Sequence, residues 1–189
     1  MTTKDLINNF LDTTVKVVEQ TKGFLKLSPE QLNWRPSDKQ WSVGECFEHL
    51  MRTNSEYIPY YQKSIITGIK NKSQQFNHTL LGKMVMNSMK PENKRKTKTP
   101  RSFNPIGSDI KESIVKDFLH QNNEIVDLVS RIDMSKLKEK ITSPFSKYVK
   151  YNMGDSLIII AYHNLRHVQQ AKDVIESNNF PQSRNIILV

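Results

Sequence analysis

Three histidines carry the chemistry that this sequence offers. His163 and His167 stand four residues apart in the run Ile159 to Val168. On a helix, residues four apart lie one above the other on the same face, so two imidazoles so placed can grip one metal ion. The third, His49, closes the run Trp41 to Leu50. Three neutral nitrogen donors with the remaining positions open are what a catalytic metal site requires, because water or substrate must also bind. Glu45, four residues before His49, is placed to accept an imidazole N–H and so fix the tautomer. It is equally placed to cap its helix, and the two roles are compatible. Imidazole donors suit zinc, nickel, copper and iron alike. Among these divalent ions zinc or nickel stands first.

The other candidate groups are weaker. His120 shares a polar, solvent-facing stripe with Ser113, Asp117, Glu124 and Asp127. His78 lies in a long connection beside Asn77 and is not expected to be a ligand. Cys46, three residues before His49, reads as a small core hydrophobe, with a thiolate ligand or reactive thiol as the alternative. Absent motifs narrow the chemistry further. His163 is followed by Asn164, not Glu, so the general base of a zinc-protease helix is missing. Glu45 and Glu48 precede His49 by four and one residues, not by the three that di-iron bundles use. There is no glycine-rich phosphate loop and no nucleophile elbow.

The elements that must position these groups read as helices. The first long one spans about 3–26, with Leu6, Phe10, Val17 and Phe24 near one face and Thr2 with Asp5 as a capping box. Ser28, Pro29 and Gln31 start a short helical turn that Arg35-Pro36 ends. The second long helix starts at Ser42, capped with Glu45 and stapled by Trp41, and continues to about 67 with a possible kink at Ile58-Pro59. A connection over 68–107 holds one short helix, Thr79 to Met89. The third long helix runs from about 108 to 131. The fourth begins at Asn152, capped with Asp155, and runs to about 178. On it, positions 160, 163, 164, 167, 171 and 174 make an inward stripe. Tyr148–Tyr151 and Ile186–Val189 are weak strand candidates only. The expectation is an all-α four-helix bundle, and the long helix 2–helix 3 connection favours up-down-down-up order.

The 189 residues fit a single domain, 1–189, with room for a sizeable core. No apolar run is long enough for a transmembrane helix. The start of the chain lacks the pattern of a secretory signal. A single cysteine excludes an internal disulfide framework and fits a cytoplasmic setting. The net charge of +9 invites a nucleic-acid partner, but residues 90–101 hold six basic residues and one acid, +5 of that total. This stretch has two prolines, no apolar residue and no interleaved aromatic for base stacking. It reads as a solvated loop, with phosphate contact or a lid over an anionic substrate as alternatives. Nucleic acid is therefore not the expected partner.

Three stretches, Leu27 to Pro36, Trp41 to Leu50 and His163 to Gln170, together resemble the DinB-like superfamily of four-helix metal-binding proteins, which includes YfiT-like members. Lys98 to Pro105 also resembles a loop that precedes the third helix in such proteins. The resemblance spans nearly the whole chain in the right order. It implies a divalent metal held by His49, His163 and His167 in an up-down-down-up bundle. Characterised relatives include thiol S-transferases that use mycothiol or bacillithiol and a mycothiol-dependent maleylpyruvate isomerase, so a low-molecular-weight thiol is an implied cofactor. The family name comes from DNA-damage induction and does not imply DNA binding.

Two function classes follow. One is a metal-dependent enzyme acting on a small-molecule substrate, a thiol S-transferase or a related hydrolase. The other is a non-catalytic metal-binding or interaction protein using the same bundle, with the metal pinning helix 2 to helix 4. A closed coordination sphere, for instance with Cys46 as fourth ligand, would mark the second. Exposed bundle faces make a homodimer plausible.

Overall fold

The computed structural model describes residues 1–65, 73–93 and 98–182. The chain is mostly helical. Its helices are α1 (Thr3–Lys22), α2 (Pro29–Asn33), α3 (Val43–Ser55), α4 (Ile58–Gln62), α5 (Leu80–Met89), α6 (Ile114–Ser130) and α7 (Met153–Ile175). Two short strands, β1 (Lys140–Ser143) and β2 (Ser146–Asn152), form an antiparallel hairpin. Among the described residues no helix is long and apolar enough to cross a membrane.

Capping chemistry sets the helix starts. Thr2, Ser28, Ser42 and Asn152 each form a reciprocal capping box, with Asp5, Gln31, Glu45 and Asp155 respectively. Each satisfies backbone N–H groups that a helix N-terminus leaves unpaired. The four longer helices pack in pairs: α7 on α1 and α3, and α6 on the same two. One apolar cluster gathers Leu6, Phe10, Tyr61, Ile125 and Leu157. The other gathers Val17, Phe47, Leu50, Phe118 and Val168. His163 sits on α7 between the segments that feed these two clusters.

Three departures from the sequence reading have physical causes. The second long helix is two helices, α3 and α4, separated at Glu56-Tyr57. Pro59 has no N–H to continue the α3 ladder and stands in the first turn of α4 instead. The third long helix starts at Ile114, six residues later than expected from Ser108. Gly107 adopts φ +80, a backbone conformation open mainly to glycine, and turns the chain before α6. Ile110 then packs from that turn against Gly44 of α3, where any Cβ would collide with it.

The third departure is the hairpin. Of the two strand candidates, Tyr148–Tyr151 lies inside β2, and its partner strand β1 was not expected. Ile141 pairs with Tyr151, and both are buried. Ser143 opposite Ser146 leaves Pro144-Phe145 as the two-residue turn. Just two apolar pairing partners are too few for a readable alternation. The strand candidate Ile186–Val189, the last residues of the expected second helix, and 94–97 of the basic stretch lie outside the described residues.

Candidate metal centre

The centre is assembled from four elements. Helix α3 presents His49 two turns after its Ser42 cap. Helix α7 presents His163 and His167 on its inward stripe. A short helical turn, Arg101–Phe103, brings a backbone carbonyl, and the hairpin tip brings Phe145. One ligand atom from each of His49, His163 and His167 lies within 4.8 Å of the others. His49 and His163 are buried and His167 is partly exposed. Among the described residues no cysteine, aspartate or glutamate joins this group.

Hydrogen bonds decide which nitrogens are free. The Nδ1 of His49 lies 2.8 Å from the Phe103 carbonyl oxygen. A carbonyl can only accept, so Nδ1 carries the hydrogen and Nε2 carries the lone pair. His167 is set in the same way by the side chain of Gln170, whose Oε1 lies 2.8 Å from Nδ1. The Nε2 atoms of His49 and His163 are 3.1 Å apart. Two nitrogens bound to one zinc ion at about 2.1 Å and a tetrahedral angle would be about 3.4 Å apart. The donor set therefore fits a divalent ion. The Nδ1 of His163 is buried with no hydrogen-bond partner among the described residues.

Electrostatics favour the neutral form that a metal requires. Burial, the largest cause, lowers His49 to about 4 and His167 to about 3 from an ordinary 6.5. Burial, then the neighbouring His167 and His49, holds His163 well below its ordinary value. Aromatic rings wall the group. Trp41 stacks on His167 at 5.5 Å between centroids and tilts over His49 at 4.7 Å. Phe145 lies 6.2 Å from His163 and 5.1 Å from Phe103.

Of the two roles expected of Glu45, the helix cap is formed. The Nδ1 of His49 bonds to Phe103, and its Nε2 faces His163. The buried Glu45 carboxylate accepts from the Ser42 amide at 2.9 Å, the Gly107 amide at 3.1 Å and the Arg35 guanidinium. It thus closes the α3 cap and also pins the loop that carries Phe103. Arg52 pins the same loop, donating to the Asn104 carbonyl and the Ser108 hydroxyl. The orientation of His49 is therefore set by a backbone carbonyl, with Glu45 acting on it through the loop.

The remaining candidates fall away from the centre. Cys46 is fully buried in the apolar cluster around α3, and burial pushes its thiol upward. His120 is exposed. His78 lies in another cleft, bonded to Asp155. Sequence reasoning missed Phe103, Phe145 and the role of Trp41. Only Trp41 had a signal, as an aromatic residue directly before the helix cap.

A mostly helical chain with three convergent histidines from two helices defines a class of protein able to hold a metal ion. The chain belongs to the DinB superfamily, whose family model matches residues 14–171. No curated protein and no solved structure matches it significantly.

Proposed function

We propose that this protein is a metal-dependent enzyme acting on a small-molecule substrate, a thiol S-transferase or a related hydrolase, built on an up-down-down-up bundle. His49, His163 and His167 would hold the ion, with zinc or nickel as the fitting metals. The observation that carries this reading is the convergence of three neutral imidazoles with, among the described residues, no cysteine or carboxylate in the group. Such a donor set leaves positions open, whereas a purely structural zinc site is closed by four protein ligands. A divalent ion there supplies Lewis acidity, which favours the thiolate of a coordinating thiol or the hydroxide of a coordinating water at neutral pH.

The chain's own residues would do the rest. Phe103 orients His49, and Gln170 orients His167. Trp41 and Phe145 exclude water from two sides of the imidazoles. A cleft of about 500 Å³, lined by Arg52, Ser55, Glu56, Ser102, Phe103 and Pro144, reaches Phe103 from outside. It offers a polar approach beside the centre.

Elemental analysis of natively purified protein tests the first half of this reading, with about one divalent ion per chain expected. Assays of the metal-loaded protein with mycothiol, bacillithiol and simple thiols against an electrophilic acceptor test the second. Metal-free protein as purified, unable to take up zinc or nickel, would overturn the reading.

A further inference from the structure

The open cleft that holds His78 lies between α1, α5 and α7 and has a volume of about 250 Å³. One of its lining residues, His78, is held by a buried carboxylate. Asp155, fully buried at the start of α7, accepts at Oδ2 from the Asn152 amide (3.1 Å), the Thr79 amide (3.1 Å) and the Thr79 hydroxyl (2.7 Å). Its Oδ1 accepts from Nδ1 of His78 at 2.7 Å. A carboxylate with four donors has no proton to give, so Nδ1 of His78 carries the hydrogen and Nε2 is left for another partner. Phe76, edge-on to the His78 ring at 5.2 Å, fixes its plane. Gly82 allows this approach, since a Cβ there would collide with the Asp155 carboxylate.

A structural staple between α5 and α7 would account for Asp155 and Thr79. It does not account for the rest of the lining. Lys83 and Asn87 stand at i and i+4 on α5, which places them on one face, and Lys90 is the residue that ends the helix; all three line the cleft with Asn9 of α1 and Tyr162 of α7. Neither Lys83 nor Lys90 forms an ion pair among the described residues. Two ammonium groups facing one concavity raise its positive potential and concentrate anions there. Met86 and Ile158 add an apolar floor.

We propose that this cleft is a second binding site, separate from the three-histidine centre, for a small organic anion with a carboxylate or phosphate head. Lys83 and Lys90 take the charge. Nε2 of His78 and the amides of Asn9 and Asn87 bond the polar groups, and Met86 and Ile158 pack against the carbon skeleton. The volume is just below the ~300–1,000 Å³ of pockets for drug-sized ligands, which suits a metabolite of a few carbons.

The test is an amide-resolved NMR titration of the full chain with succinate and, separately, inorganic phosphate at matched ionic strength. Saturable shifts at Lys83, Asn87, Lys90 and Tyr162 are expected with at least one of the two, and which one responds names the head group. A Lys83→Ala/Lys90→Ala double variant, altered only at exposed side chains, should bind at least tenfold more weakly with an unchanged circular dichroism spectrum. Affinity should be the same after EDTA treatment, because the histidine centre takes no part. Lack of saturation with either anion, equal binding by the double variant, or binding lost on chelation would each overturn the proposal.

Discussion

Nδ1 of His49 and the carbonyl oxygen of Phe103 lie 2.8 Å apart, joining α3 to a loop 54 residues further along the chain. This bond is a finding about tautomers as much as about packing. It commits the ring hydrogen to Nδ1 and aims the Nε2 lone pair at His163. Phe103 in turn is held by a loop that Glu45 and Arg52 anchor. The orientation of one imidazole thus rests on a chain of contacts running back to Arg35.

Removing a ligand should empty the centre. In His163→Ala, two imidazoles remain, and metal content should fall from about one ion per chain to near zero after dialysis. Elemental analysis of parent and variant, prepared side by side, measures this. A variant that keeps a full complement would show that the ion binds elsewhere.

Chelation should leave the fold standing. The two apolar clusters bury residues such as Phe47, Leu50, Phe118 and Leu157 without reference to the histidines. Circular dichroism melts with and without EDTA should therefore both show a cooperative transition, the metal-loaded form being the more stable by mass action. Wholesale unfolding on chelation would instead make the metal's binding energy part of the folding energy and favour the structural role.

Arg35→Ala tests the anchor beneath the loop. It strips two donors from a buried carboxylate that keeps its Ser42 and Gly107 amide partners. Loss of about 1.5–3 kcal/mol is expected for a charged hydrogen-bonding partner, read from urea unfolding. Metal affinity should fall by about tenfold or more, as for other outer supports of ligating imidazoles. Unchanged affinity would show that the loop carrying Phe103 is held without Arg35.

Acid should destabilise the metal-free protein. Burial lowers His49 to about 4 from 6.5, so below about pH 6.5 the unfolded chain takes up a proton that the folded chain refuses. Its stability is present in full above that pH and is lost as the pH falls toward 4. For His49 alone the loss is on the order of 2 kcal/mol between about pH 6.5 and pH 5. Urea unfolding across that range should give a shallower pH slope in His49→Ala than in the parent, and identical slopes would contradict the burial argument.

Gly44→Ala should loosen the helix that carries His49. A Cβ there would sit 3.0 Å from the Leu32 carbonyl oxygen and collide with the Ile110 side chain. Overpacking of this kind costs about 1–3 kcal/mol, visible as a lower melting temperature.

The sequence by itself determined what depends on neighbours along the chain. The capping boxes at Thr2, Ser28, Ser42 and Asn152 mark helix starts because each is closed within four residues. The i, i+4 spacing put His163 and His167 on one face for the same reason, and the inward stripe of α7 followed from helical period. The break before Pro59 was legible as a kink because proline acts on its own turn. What only the tertiary structure decided are relations between distant segments. That Phe103 rather than Glu45 bonds His49 depends on how the Gly107 turn folds back on α3. That Phe145 reaches His163 depends on a hairpin whose pairing rests on Ile141 and Tyr151, too little alternation to read. That His78 meets Asp155 depends on α5 docking against α7, a contact between residues 77 apart. Local hydrogen bonding is encoded in adjacent residue types, whereas the partner of a buried polar group is chosen by which surfaces the whole chain brings together.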